Sequence, residues 1–265
     1  MAKSKKLDKI IKEIEEQYGK DAFDKSESLY SWGIKSVDDI LGGLPNRIVE
    51  LFGNEGCGKT TLALHAIADI QKKGKRGVFI DAEGGMSDKY AKAIGVDTDK
   101  WVYIRKTSME DNLNIICKLL QSTETGIVVL DSLAALVPKV VSDDFLVKED
   151  FNKKHVADRA RLLSESLPML MGLCVEYGNT LIIINQVRDK VGIMFGNPLT
   201  TPGGKALKHM AMQRIQVNYT EKIKKGEKII GKKVKIVAVK NKIASPDNAV
   251  ILNLIYGKGM VESDE

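Results

Sequence analysis

The sequence predicts an α/β fold: a mostly parallel sheet flanked by helices, carrying an antiparallel edge and built around a P-loop. Three observations predict it. Near-continuous apolar runs of strand length alternate with helical runs, as in a parallel sheet covered on both faces. Gly53-Asn54-Glu55-Gly56-Cys57-Gly58-Lys59-Thr60 fits G-x-x-x-x-G-K-[ST], with a β-reading run at 47–52 before it and a helical run at 60–67 after it. Beyond Arg214 the texture changes to strands joined by short polar turns.

Each element follows from local pattern. Residues 7–19 place Leu7, Ile10, Ile11, Ile14 and Tyr18 on one helical face, with Lys and Glu opposite. This helix either folds back on its own core or docks on a neighbouring subunit. A polar stretch at 20–27 follows. Residues 32–43 read as a short strand, a helical turn capped by Ser36 and a Gly42-Gly43 stop. After the P-loop unit come a strand at 77–83, a helix at 109–121 and a strand at 126–132. An apolar helix at 162–177 holds Pro168 as a local irregularity, and a strand at 180–186 ends in Asn185 and Gln186. Runs at 215–218, 233–239 and 249–255 read as the antiparallel edge, with turns at 225–227 and 245–247. The expected organisation is an arm at 1–33, a core at 34–260 and an acidic tail at 261–265.

The chain has 265 residues, 43% of them hydrophobic and 29% charged, which suits one large globular domain with a sizeable core. No apolar run reaches membrane-spanning length. The basic N-terminus has no apolar run behind it, so no secretory signal is expected. Cys57, Cys117 and Cys174 are scattered without metal or disulfide spacing, which suits a reducing cytoplasm. A net charge of +6 favours a polyanionic partner and equally serves solubility.

The chemistry gathers at strand ends, where open α/β sheets bind ligands. The P-loop glycines, with Asn54, Glu55, Cys57 and Thr61 beside them, let backbone N–H groups surround a phosphate at a helix N-terminus. Lys59 is expected on the β- and γ-phosphates of ATP, and Thr60 on Mg²⁺. Asp131 ends an apolar strand as a second Mg²⁺-holding group would. Glu83 has the reach of a general base on water, and Gln186 that of a γ-phosphate sensor. Cys57 is an expected point of alkylation that would block ATP. The stretch 187–205 is long, Gly- and Pro-rich and aperiodic. Its cations Arg188, Lys190 and Lys205, with Met194 and Phe195, suit single-stranded nucleic acid, or a lid over the nucleotide. Residues 140–158 form a second charged loop. Lys240 and Lys242 read either as a solvated hairpin end or as cations completing a phosphate site, within the subunit or across an interface.

These stretches together resemble RecA-type recombinases of the bacterial and phage kind, over residues 7–259. The resemblance rests on residues 14–20, 43–50, the P-loop, 79–83 and 129–136. It rests most specifically on Val191-Gly192-Ile193-Met194-Phe195-Gly196-Asn197-Pro198 and Val239-Lys240-Asn241-Lys242-Ile243-Ala244. It implies a RecA-like core and an ATP-dependent, cytoplasmic protein that forms helical filaments on single-stranded DNA. Such filaments pair with homologous duplex and exchange strands. It also implies that Glu83 activates water and that Gln186 couples the γ-phosphate to DNA. Residues 140–158 and 188–205 would be the DNA loops, the second adding Asn197, Gly203 and Gly204 to the candidates, with Arg161 assisting. Tyr90 would stack on the base, Lys240 and Lys242 would reach the neighbour's ATP, and the helix and the strand near 29–32 would dock on that neighbour. Departures are Ser87 in place of an adenine-contacting acid, an acidic first loop, Pro168 at an arginine position and no counterpart of the C-terminal domain. The last predicts weaker duplex capture and a looser Mg²⁺ requirement. The alternatives are a nucleotide-binding filament regulator and a helicase-like ATPase; the Met-Phe-Gly-Asn-Pro loop argues against the second.

Overall fold

The structure, a computed structural model, describes residues 2–19, 29–142, 155–189 and 199–263. Its centre is a nine-stranded sheet. In chain order the strands are β3 (Ile48–Gly53), β4 (Arg76–Asp81), β5 (Val102–Ile104), β6 (Thr125–Asp131), β7 (Thr180–Gln186), β10 (Gln213–Lys225), β11 (Lys228–Asn241), β12 (Ala249–Ile255) and β13 (Gly259–Glu262). Their spatial order is β13-β12-β11-β10-β3-β7-β6-β4-β5. Every pair from β10 to β5 is parallel, and every pair from β10 to β13 is antiparallel. The mostly parallel sheet with an antiparallel edge is therefore present.

Helices cover both faces because the central strands are apolar on both. In β6, Ile127 and Val129 enter one core cluster while Val128 and Leu130 enter the other. β7 divides likewise, with Ile182 and Ile184 against Leu181 and Ile183. The first cluster is closed by α2 (Lys35–Leu41), α3 (Lys59–Lys72) and α4 (Asp88–Ile94). The second is closed by α5 (Met109–Leu120), α6 (His155–Tyr177) and α7 (Gly204–Met210).

Several boundaries differ from expectation. The cap of α2 is Ile34, without a side-chain hydrogen bond, and Ser36 lies inside the helix. The entry is fixed by Asp38 instead, whose carboxylate accepts from the Ser31 hydroxyl at 2.5 Å and the Trp32 N–H at 2.8 Å. The exit, Gly42 in left-handed conformation, is as expected. β1 (Leu29–Tyr30) pairs antiparallel with β2 (Leu44–Pro45). α6 runs on through Pro168, whose ring is on the exposed side. Val261 and Glu262, expected in a tail, belong to β13 and pair with β12.

The arm helix α1 (Ala2–Tyr18) leaves Leu7, Ile10 and Tyr18 exposed, so its apolar face is not covered by the described core. At the other extreme, β10 and β11 are far longer than their apolar runs. Only Gln213–Gln216 of β10 lie beside β3, and only Gly231–Val237 of β11 beside β12. Between these stretches β10 stays in the sheet through β11, and only residues 224–230 form a two-stranded tip that projects past β12 and turns at Gly226-Glu227. The tip carries Lys224, Lys225 and Lys228 in exposed positions, with Lys222 exposed just inside it.

Candidate functional site

The carboxyl ends of β3, β4, β6 and β7 lie side by side at the centre of the sheet. β3 delivers the P-loop, and two of its glycines are forced by crowding. A Cβ on Gly53 would stand 2.1 Å from the Val217 carbonyl oxygen of β10. Gly58 has φ +101°, and a Cβ there would meet Leu254 at 2.6 Å and Met260 at 2.7 Å. The loop can approach β10 and β12 this closely only without side chains. α3 begins directly at Lys59, so its unpaired N–H groups face the loop.

Lys59 is 7% exposed, and its ammonium donates to the carbonyls of Gly53 at 3.1 Å and Asn54 at 2.7 Å. Thr60 Oγ1 donates to Asp131 Oδ2 at 2.6 Å, joining the ends of β3 and β6. Burial pushes the Asp131 carboxyl up to about 6, with Glu83 and Asp81 adding to the rise while Thr60 and Lys59 oppose it. A hydroxyl and a desolvated carboxylate converging at one point suit a hard cation such as Mg²⁺, which would favour the ionised form. Among the described residues no cluster of three or more His, Cys, Asp and Glu is placed to hold a metal ion. A cation here would therefore complete its shell with water and phosphate oxygens.

Two residues past β4, Glu83 extends to Gln186 at the end of β7. Gln186 Nε2 donates to Glu83 Oε1 at 3.1 Å, and the Ser132 hydroxyl donates to the same oxygen. Both donors fall on Oε1, which leaves Oε2 to accept from water. Ser132, joined to Asp131 by a cis peptide, was not among the expected site residues. The loop bearing Glu83 is shaped by Asp81, which accepts from the N–H groups of Gly84 at 2.6 Å and Met86 at 3.0 Å and from the Tyr103 hydroxyl at 2.6 Å. Burial raises the Asp81 carboxyl, but these donors outweigh it and hold the group below its ordinary range.

Two cavities flank the P-loop. One, about 350 Å³, is lined by Thr60, Glu83, Asp131, Ser87 and Tyr90. The other, about 360 Å³, lies between Gly56, Gly58 and Thr61 on one side and Lys232, Leu254, Tyr256 and Gly257 on the other. Tyr90 borders both cavities, and its hydroxyl is 2.6 Å from Thr61 Oγ1. Lys232, Tyr256 and Gly257 were not expected, because only strand pairing through β10 brings them beside the P-loop. Glu55 is exposed. Cys57 is fully buried and its thiol is pushed up by burial, partly offset by Lys59, so it is a poor alkylation target.

Lys240 and Lys242 are not at this chain's own P-loop. Lys240 pairs with Arg214, which pairs with Glu50, three residues ahead of Gly53. Along β11 that is roughly 25 Å from Lys232 at 3.3 Å per residue. The Lys240 ammonium donates to the carbonyls of Lys208 at 2.9 Å and His209 at 2.8 Å, at the end of α7. Burial, with Lys242 and Arg214 nearby, lowers its pKa. Completion of the phosphate site within the subunit is thereby excluded for this pair.

The candidate DNA residues divide. Arg161 is exposed on α6, and Lys205 is exposed at the start of α7. Gly203, in left-handed conformation, caps that helix, and Gly204 opens it. Arg188 lies in β8 (Arg188–Asp189), which pairs with β9 (Leu199–Thr200) and so brings the two ends of the long loop together. Lys190, Met194, Phe195 and Asn197 lie outside the described residues, as does most of the 140–158 loop. The loop exit is tied to the P-loop strand: Asn185 Nδ2 donates to Pro202 O at 2.8 Å and to Glu50 Oε1 at 3.1 Å. Glu50, fully buried, pairs with Arg214 at 2.6 Å.

Fold and site define an α/β P-loop protein of the RecA-like type, in which the nucleotide loop is built into the middle of a parallel sheet. The sequence matches the RecA N-terminal domain family over residues 5–261. It is 41% identical to Protein RecA of Lactobacillus johnsonii over 273 residues, covering 99% of this chain and 74% of that protein. It is 40% identical to Protein RecA of Staphylococcus aureus, covering 99% and 77%. The fold is similar to that of the RadB recombinase, with a TM-score of 0.65 at 19% identity over 89% of this chain. The chain belongs to the RecA family.

Proposed function

We propose that the chain is an ATP-dependent DNA recombinase, which filaments on single-stranded DNA in the cytoplasm and catalyses homologous pairing and strand exchange. The observation that carries this reading is the Gln186–Glu83 hydrogen bond. Gln186 ends the strand that leads, one residue later, into β8 and the long loop. A group touching the γ-phosphate side and a group bound to DNA would thus be neighbours in sequence.

In this reading the P-loop N–H groups and Lys59 hold the triphosphate. Mg²⁺, held by Thr60 and through water by Asp131, would neutralise charge developing on the phosphates. Glu83 Oε2 accepts the proton of the attacking water, while Ser132 fixes the carboxylate through Oε1. Gln186 exchanges its bond to Glu83 for one to the γ-phosphate. Lys240 and Lys242 meet the phosphates of an adjacent subunit, where α1 also docks. Arg161, Arg188, Lys205 and the loop between β8 and β9 face DNA.

The test is ATP hydrolysis with and without single-stranded DNA, followed by a D-loop assay. We expect DNA-stimulated turnover and joint-molecule formation. ATP binding without DNA stimulation at any salt would leave the nucleotide-binding regulator as the better reading.

A further inference from the structure

We propose that Lys232 is a second cation of the nucleotide site, holding the phosphate nearest the nucleoside rather than the γ-phosphate. This rests on the nucleotide-binding reading above. The Lys232 ammonium donates to the Gly56 carbonyl of the P-loop at 2.9 Å and stands 5.4 Å from the Tyr219 ring centre. An ammonium has three donors, and one carbonyl engages one of them. The remaining protons sit on the rim of a loop whose own N–H groups are expected to face an anion. The side chain is half-buried, so its charge is screened less than that of the ribbon lysines.

Position decides which phosphate it would meet. The two cavities share Thr60 and Tyr90. The one with Glu83 and Asp131 holds the groups for bond cleavage. Lys232 lines the other, opposite Thr61 and beside Leu254 and Tyr256. An apolar and aromatic wall next to one cation fits a nucleoside with its first phosphate. Lys59 and Lys232 then hold the polyphosphate from opposite ends, one from α3 and one from β11.

The experiment compares Lys232→Ala, Lys232→Arg and Lys59→Ala in the full chain, by calorimetric titration with Mg²⁺-ATP and Mg²⁺-ADP at several salt concentrations. For Lys232→Ala we expect affinity for ATP and ADP to fall equally, by about tenfold, the loss of one charge-assisted hydrogen bond. In turnover the loss falls on KM rather than on kcat. Lys232→Arg keeps most of the affinity, which holds the test open if the alanine variant does not fold. The dependence of log Kd on log salt should flatten in Lys232→Ala, because one ionic contact is gone. A salt dependence equal to the unmodified chain's would mean that Lys232 only fastens Gly56, and would overturn the proposal. So would a loss confined to ATP. If Lys59→Ala abolishes binding while Lys232→Ala does not weaken it, the nucleotide reading stands and this inference fails. If neither substitution matters, the nucleotide reading itself fails.

Discussion

Glu83 is held by two donors on one oxygen, which separates its positioning from its chemistry. Glu83→Gln keeps the shape and removes the base. We expect hydrolysis to fall by roughly 10²–10⁴-fold with ATP affinity retained, measured as turnover against equilibrium binding. Ser132→Ala leaves the base and frees its orientation, and a smaller loss in kcat with unchanged Kd is expected. His65 gives a prediction in pH. Its Nε2 accepts from the Met260 N–H at 3.0 Å, and burial, with Lys72 nearby, lowers its pKa to about 4. Above about pH 6.5 the residue is neutral in folded and unfolded chains alike, and the bond contributes fully. Between about 6.5 and 4 the unfolded chain takes up the proton first, so stability falls as pH falls, by up to about 3 kcal/mol. Urea midpoints for the unmodified chain and His65→Gln should converge across that window. The convergence of Lys59, Thr60, Glu83, Asp131 and Gln186 was legible in sequence because each lies at or just past a strand end or in a spaced motif. The placement of Ser132, Lys232 and Tyr256 beside them was not, because it depends on which strands lie side by side.

Among the elements, β10 joins the two halves of the sheet. Through Arg214 it neutralises Glu50 on β3, and through Glu50 it reaches Asn185 on β7. The Arg214 guanidinium also lies 4.7 Å from the Phe52 ring centre. Arg214→Ala leaves a carboxylate buried without its cation. We expect a loss of about 3–5 kcal/mol in urea unfolding, far more than an exposed pair would give. Strands with a buried face were readable: β7 and β12 fall where their apolar runs predict. The outer end of β10 and the tip at 224–230 were not, because residues exposed on both faces have no hydrophobic period. β13 was missed for a related reason, since four residues beginning at Gly259 are too few to show alternation. The cap of α2 was misread because Ile34 takes that position, while the Ser36 N–H is met by Glu262 of β13 and Asp38 fixes the incoming chain through Ser31 and Trp32.

For the whole molecule, the exposed apolar side of α1 and the distance of Lys240 from its own P-loop point in one direction. In the filament reading a neighbouring copy would cover the helix and bring a phosphate to Lys240, whose ammonium otherwise rests on the carbonyls of Lys208 and His209. Deleting residues 2–18 should yield a monomer in sedimentation that still binds ATP but no longer shows DNA-stimulated turnover. An assembly unchanged by the deletion would count against docking by this helix. The projecting ribbon has a different consequence. From Asn218 outward, past the contact of Val217 with the P-loop, β10 has no strand on its β3 side among the described residues, so its backbone groups there are open to pairing with another chain. Lys222, Lys224 and Lys225 line that stretch, and bringing two such edges together would press like charges against each other. Such lysines would disfavour edge-to-edge stacking of the ribbon. Replacing all three with threonine should leave the fold intact and raise the aggregated fraction in light scattering.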